Sequence, residues 1–338
     1  MTESFIKMAH GSGGQSTSEL IAGIFAKYFH NEYLDAMGDA AVVPGSGRIA
    51  MTTDSFVVTP YFYPGGDIGR LCICGTVNDL LMSGAVPKYL TFGCILEEGM
   101  PTDALEKIVQ SAAQTAAEAG IQIVAGDTKV IENSGHPEGG IIINTAGVGF
   151  VPEGRSVGAD QIREGDVVII SGTLGEHHAA ILGKRMGLEN TIQSDNAPLG
   201  EMTSALFAAG VRVRAMRDVT RGGLGTIMHE FASESGKTII LEEKALPVRR
   251  DVRDFCGILG LDPLYMGNEG KMAVVVDPAD TEKALEAIRG SRYGQDAAVI
   301  GEVAAAENMP EGRLLLRTPV GGLRVLGPLY GEGLPRIC

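Results

Sequence analysis

The chain has 338 residues, more than one ordinary core accommodates, so two domains are expected. Apolar residues make up 44% and charged residues 21%, a globular composition that excludes wholesale disorder. The 28 Lys and Arg against 42 Asp and Glu give a net charge of −14, which argues against nucleic acid or an anionic membrane as partner.

In chain order, a glycine patch (Gly11-Ser12-Gly13-Gly14) precedes a helix with Leu20, Ile21, Ile24, Phe25 and Tyr28 on one face. A strand-like run covers 49–58, a helix about 68–83 and a strand 88–95. The helix at 102–119 opens at Pro101-Thr102 and ends at Gly120. Strands Ile121–Ala125 and Ile141–Phe150 close the first half, and Val151-Pro152-Glu153-Gly154-Arg155 reads as a linker. The second half carries strands at 167–171, 211–216, 238–242, 272–277 and 297–303. Its helices fall at 176–186, 199–209, 224–235, 249–259 and 279–289. Helices and strands mix throughout, so the class is α/β or α+β. Beyond 304 the chain turns Gly/Pro-rich and ends in what reads as a mobile arm, Tyr330 to Cys338.

No segment approaches 18 uninterrupted apolar residues, and the first residues lack the basic start and apolar run of a signal peptide. The five cysteines are an odd number and read as reduced, which suits a cytoplasmic location. Familiar fingerprints fail. Gly236-Lys237-Thr238 has the end of a Walker A loop, but Phe231 stands where its first glycine belongs. Gly154-Arg155-Ser156-Val157-Gly158 has the spacing of a nucleophile elbow but sits in the linker. Adjacent His177 and His178 point about 100° apart on a helix and read as solvated or capping residues. Cys72 and Cys74 read as thiols buried in a helix.

Five aspartates stand beside glycine or at the mouth of an apolar run: Asp39, Asp54, Asp79, Asp127 and Asp218. Each alone is an ordinary turn or cap residue. Together at strand ends they can converge on one ligand, and hard oxygens so gathered suit Mg²⁺ carrying a polyphosphate. Lys129 follows Asp127-Thr128 closely enough to neutralise a phosphate oxygen. Thr220-Arg221-Gly222-Gly223 offers bare N–H groups ahead of a helix, an anion cradle or simply a glycine-rich helix entry. Asn268-Glu269-Gly270-Lys271 places a carboxylate at a turn, as a salt bridge or as a catalytic group. Cys338 is the last residue of the arm, where a thiol serves no core. Eight extended residues reach ~26 Å, and a swinging thiol suits a carrier of an acyl-type group.

Taken together, His10-Gly11-Ser12-Gly13-Gly14-Gln15, Thr53-Asp54-Ser55, Pro64-Gly65-Gly66, Ile73 to Asp79, Gly126 to Val130, Asp218 to Gly223, Asn268 to Lys271 and the terminal Pro335-Arg336-Ile337-Cys338 resemble the HypE family of hydrogenase maturation factors. The aspartate and glycine segments are shared with a wider ATP-binding superfamily that includes aminoimidazole ribonucleotide synthetase, selenophosphate synthetase and thiamin-monophosphate kinase. The Pro-Arg-Ile-Cys terminus separates this family from the rest.

The resemblance implies an α+β, two-domain PurM-like fold. Residues 1–36 would form the glycine-rich loop and helix, 37–150 an ATP-binding domain whose strands join a partner's into a dimeric β-barrel, 160–305 an α/β sandwich-like domain, and 306–338 the region ending in the mobile tail. It implies that HypF, the carbamoyltransferase, loads Cys338, that ATP with Mg²⁺ drives dehydration of the S-carbamoyl group to a thiocyanate, and that the HypC–HypD complex accepts the cyanide for the iron of the [NiFe] centre. ATP would be held by Lys129, Asp54, Asn78, Asp127, Thr128, Arg221 and Gly222, with Gly13 and Gly14 closing over it. The metal would fall to Asp39, Asp54, Asp79, Asp127 or Asp218, and the base would be Glu269 or Asp79. A selenophosphate synthetase would instead place a reactive Cys near the first glycine loop, and residues 1–30 contain none. A non-catalytic scaffold whose tail thiol docks a partner predicts no ATP turnover.

Overall fold

The structure, a computed structural model, describes residues 5–11, 15–36, 43–135, 139–305 and 311–328. Gly13, Gly14, Asp39 and Cys338 lie outside the described residues. The N-terminal part runs α1 (Gln15–Leu20), a π-helical turn (Ile21–Phe25), α2 (Ala26–Phe29), β1 (Ile49–Phe56), β2 (Phe62–Tyr63), β3 (Gly66–Asp67), α3 (Ile68–Met82), β4 (Val86–Glu97), α4 (Thr102–Ala119), β5 (Gln122–Ile131) and β6 (Ile141–Phe150). The expected single first helix is therefore broken by the π turn, with Leu20, Ile24, Phe25 and Phe29 buried.

Strands pair in the order β1-β6-β4-β5, antiparallel except for β4 beside β5. One face alternates inward: Phe56, Phe92, Ile143 and Leu96 are buried there. Helix α3 covers that face. Asp67 caps its start, Oδ1 accepting from the N–H groups of Gly69 (2.8 Å) and Arg70 (3.0 Å). Apart from Arg70 and Asp79 its side chains are buried all round, because it lies on β1 and β6 and also packs against α4 and the C-terminal sheet. Helix α4 keeps one apolar face (Leu105, Ile108, Val109, Ala112) and stops at Gly120 in the left-handed region.

The C-terminal part runs β7 (Val167–Ile170), α5 (Glu176–Arg185), α6 (Gly200–Ala208), β8 (Val213–Asp218), α7 (Gly223–Ser235), β9 (Ile239–Glu242), α8 (Arg250–Leu259), β10 (Met272–Val276), α9 (Thr281–Arg289), β11 (Ala298–Val303), β12 (Leu314–Arg317) and β13 (Leu323–Leu326). Seven strands order as β13-β12-β9-β11-β7-β10-β8, with only β12 and β9 parallel. The buried runs Val168–Ile170 and Met272–Val276 lie on the neighbouring interior strands β7 and β10, beside edge strand β8, and are covered on both faces. Sequence reading expects no strand after 304. Leu314–Leu316 nonetheless pairs with Ile239–Leu241 and is buried, which adds a strand within that stretch. The hydroxyl of Tyr265 donates to the carbonyl of Gly327 at 2.7 Å just beyond β13. Among the described residues no helix is long and apolar enough to cross a membrane.

Candidate active site

The two sheets meet at the C-terminal half of α3, and there the carboxylates collect. Asp54 projects from β1 on the same face as buried Phe56, and Asp79 stands one turn from the end of α3, where Thr52 donates its hydroxyl to Oδ2 at 2.8 Å. Asp218 ends β8 opposite Met272 of β10. Beyond these strands Val219 N donates to Lys271 O and Asn268 N to Val219 O, both at 2.8 Å, so the Asn268–Lys271 turn is laid alongside Asp218.

Electrostatics show the four acids act on one another. Burial pushes the Asp218 carboxyl from its ordinary 3.8 up to about 7, with Asp79 and Asp54 adding repulsion. Glu269, 5% exposed, is raised well above its usual value by burial and then by Asp218, Asp195, Asp54 and Asp79. Burial also raises Asp79 and Asp54, against opposing help from Thr52 at the first and from the Ser55 N–H and Arg221 at the second. Such a cluster is short of positive charge, which a bound cation would supply. Its donor chemistry, all hard carboxylate oxygen, fits Mg²⁺. Among the described residues no three acids, histidines or cysteines stand close enough to hold an ion by themselves, so phosphate oxygens and water would have to complete the shell. A cavity of about 290 Å³ opens beside Asp79 and Asp218, with Ser83, Gly158 and Arg217 on its walls. Two larger cavities, about 670 and 690 Å³, include none of the candidate residues.

The other expected residues divide. Arg221 is exposed and near enough to favour the charged form of Asp54. Gly222 and Gly223 both take positive φ (81° and 62°), and a Cβ at Gly223 would lie 2.5 Å from the Leu264 carbonyl, so the turn into α7 requires glycine.

Asp127 does not join the cluster. Strand β5 does not stop at Ala125; parallel pairing with β4 carries it to Ile131, so Asp127 is mid-strand. It lies on the face away from α3, at the opposite edge of the sheet from β1. Three strand spacings, roughly 14 Å, separate those edges. There it pairs with Lys129 at 2.9 Å, both side chains exposed, and that bond holds its carboxyl below the usual range. Thr128 points to the other face and meets the Cys94 thiol at 3.6 Å. Of the four described aspartates expected on one rim, three gather there with Glu269 and Asp127 does not; Asp39 lies outside the described residues.

Asn78 is corrected too. It is buried, Nδ2 donating to Ala197 O (3.1 Å) and Oδ1 accepting from Leu199 N (2.9 Å), so its amide is engaged with the C-terminal part. His177 and His178 are not solvated but buried, and burial pulls both down to about 4. Cys72 and Cys74 are buried in α3 as expected. Sequence reading missed Asp195, whose side chain is 4% exposed and ion-paired to Lys271 at 3.4 Å. The only signal was a polar Ser194-Asp195-Asn196 run ahead of Pro198, indistinguishable from a helix cap.

Fold and site together define the class: models of the AIR synthase related protein match here, the N-terminal domain over residues 37–151 and the C-terminal domain over 163–309. The carbamoyl dehydratase HypE of Azotobacter vinelandii is 47% identical over 337 residues, 98% of this chain and 97% of that one. A crystal structure of HypE in complex with ATP superposes with a TM-score of 0.93 at 41% identity, covering 98% of this chain and 99% of that one. A chain of a HypE–HypF complex gives 0.79 at 44% identity, covering 92% and 99%. The chain belongs to the HypE carbamoyl dehydratase family.

Proposed function

We propose that this chain is an ATP-dependent carbamoyl dehydratase acting on an S-carbamoyl group carried by its own Cys338. The observation that carries the reading is the convergence of buried Glu269 and Asp218 with half-buried Asp54 and Asp79 between the two sheets, in a chain that matches a HypE–ATP complex along nearly its whole length.

An amide oxygen is a poor leaving group. Transfer of the γ-phosphoryl of ATP to that oxygen, with loss of one N–H proton, gives an imidate phosphate. Loss of the second N–H proton then breaks the C–O bond, releases phosphate and leaves S–C≡N. A base beside nitrogen and cationic neutralisation of the phosphoryl group are the requirements. Glu269 is the base: burial and its acid neighbours raise it above its ordinary value, which makes its carboxylate form the stronger proton acceptor. Asp79, softened by the Thr52 hydroxyl, is the weaker competitor. No more than two of Asp54, Asp79 and Asp218 would ligate Mg²⁺ together, with phosphate oxygens and water completing its shell, and when bound it would offset the charge of the polyphosphate. Arg221, Gly222 and Gly223 receive phosphate oxygens at the start of α7.

The sheet face away from α3 exposes Ile49, Met51, Ile95, Ile131 and Ile142, an apolar surface that a second copy would cover by joining strands into a barrel. That arrangement would bring Asp127, Thr128 and Lys129 of one copy toward the nucleotide of the other. HypF would supply the carbamoyl group and the HypC–HypD complex would take the cyanide. Intact-mass analysis tests the chemistry: after carbamoylation, ATP should remove the mass of one water from the terminal segment. Cys338→Ala should still bind ATP and yield no thiocyanate. Retention of the full carbamoyl mass on the wild-type tail under turnover would refute the reading.

A further inference from the structure

The loop between α5 and α6 holds a buried carboxylate with no role so far. One oxygen of Asp195 accepts from the backbone N–H of Glu269 at 3.1 Å, and the other accepts from Asn268 Nδ2 at 3.0 Å. Lys271 Nζ stands 3.4 Å from that second oxygen. The main chain joins in: Ala197 N donates to the Glu269 carbonyl at 3.3 Å, and a Cβ on Gly270 would come within 1.9 Å of the Asp195 carbonyl oxygen. Residues 195–197 therefore grip all four residues of the Asn268–Lys271 turn.

The same loop is gripped from its other side by the N-terminal part. Asn78 holds Ala197 and Leu199, Arg70 Nε donates to Asn196 O at 2.9 Å, Asn196 Nδ2 donates to the Tyr63 hydroxyl at 3.1 Å, and Ser194 N donates to Pro64 O at 2.8 Å. Asn78 is the neighbour of Asp79. The loop is a strut with the acids of α3 at one end and Glu269 at the other. A buried charge is costly unless paired and hydrogen-bonded, and an apolar or neutral loop would be cheaper if mere packing were needed.

We propose that Asp195 is a positioning residue for the dehydration step: it fixes the Glu269 carboxylate relative to Asp79 and Asp54 by holding the Asn268–Lys271 turn against the strut. This rests on the reading of Glu269 as the base. Asp195→Asn replaces one acceptor by an NH₂ group that faces either the Glu269 N–H or the donors of Asn268 and Lys271. The turn can no longer be held at both points.

The test uses full-length protein carbamoylated at Cys338. Single-turnover thiocyanate formation is followed by intact mass and ATP binding by calorimetry. Asp195→Asn should slow the single turnover by about 10–100-fold, while the Kd for ATP moves less than about threefold. Asp195→Asn combined with Glu269→Gln should be no slower than Glu269→Gln alone. Asp195→Asn with Lys271→Met removes the stranded ammonium, so it should regain melting temperature without regaining rate. That pair also serves as the measured variant if the single one does not fold. Losses that multiply in the Glu269 double variant, or a rate that returns with stability in the Lys271 pair, overturn the positioning role. A wild-type rate in Glu269→Gln overturns the base itself, and is told apart from failure of the strut, in which Glu269→Gln is slow and Asp195→Asn is not.

Discussion

Two acidic places on the same small sheet behave in opposite ways. Between the sheets, Asp54 and Asp79 face Asp218 and Glu269 in a setting that raises every one of them. At the far edge Asp127 pairs with Lys129 in open solvent and is lowered. The first place crowds acids whose charged forms are disfavoured, and either protons or a bound cation relieve it. The second is content as it stands and contributes to stability little, as exposed pairs do. Composition alone, an aspartate beside a glycine, does not distinguish them; burial does.

The contrast is sharpened or broken by a graded set of variants. The largest expected effect is Glu269→Gln, which should cost about 10²–10⁴ in thiocyanate formation with ATP still bound; a loss under tenfold would move the base to Asp79. Next is Gly270→Ala. The new Cβ meets the Asp195 carbonyl, so both melting temperature and single-turnover rate should drop, and unchanged values would show that the turn and the strut give way easily. Third is pH. The native Asp218 carboxyl keeps its proton up to about 7, while the unfolded one loses it near 3.8. Between those values the native state binds more protons, so stability should fall as pH rises through that window. Without divalent cation the wild-type melting temperature should decline across it more steeply than that of Asp218→Asn. Identical slopes would mean that Asp218 is not buried as described. The smallest structural effect is Lys129→Ala: an unchanged melting temperature with ATP affinity weakened about tenfold, measured by calorimetry. A stability loss there would contradict its exposure.

Much of this was legible in the residues. The apolar period of α4 with its Pro101 start and Gly120 stop defines that helix without tertiary help, and Asp218 and Glu269 stand at a recognisable strand end and turn, whereas Asp54 lies within β1 and Asp79 within α3. What was hidden depends on neighbours distant in sequence. Strand β12 exists because Ile239–Leu241 lies waiting for Leu314–Leu316, and β5 runs on because β4 keeps pairing with it. His177 and His178 read as surface residues because a helix pattern does not show that Tyr63 closes over one of them, edge to face at 5.5 Å. Asp195 was invisible for the same reason, since its partners stand more than seventy positions away.

The bond from the Tyr265 hydroxyl to the Gly327 carbonyl bears on how the sulfur meets its reagents. Tyr265 is four residues from Glu269, at most ~14 Å along the chain, and ten residues remain between Pro328 and the end of the sequence, up to ~36 Å of reach. If Cys338 carries the reacting group as proposed, attachment within that reach would give it a millimolar effective concentration at the pocket. The pocket therefore needs only weak intrinsic affinity for the thiocarbamate, and weak affinity lets the finished thiocyanate leave again for its acceptor.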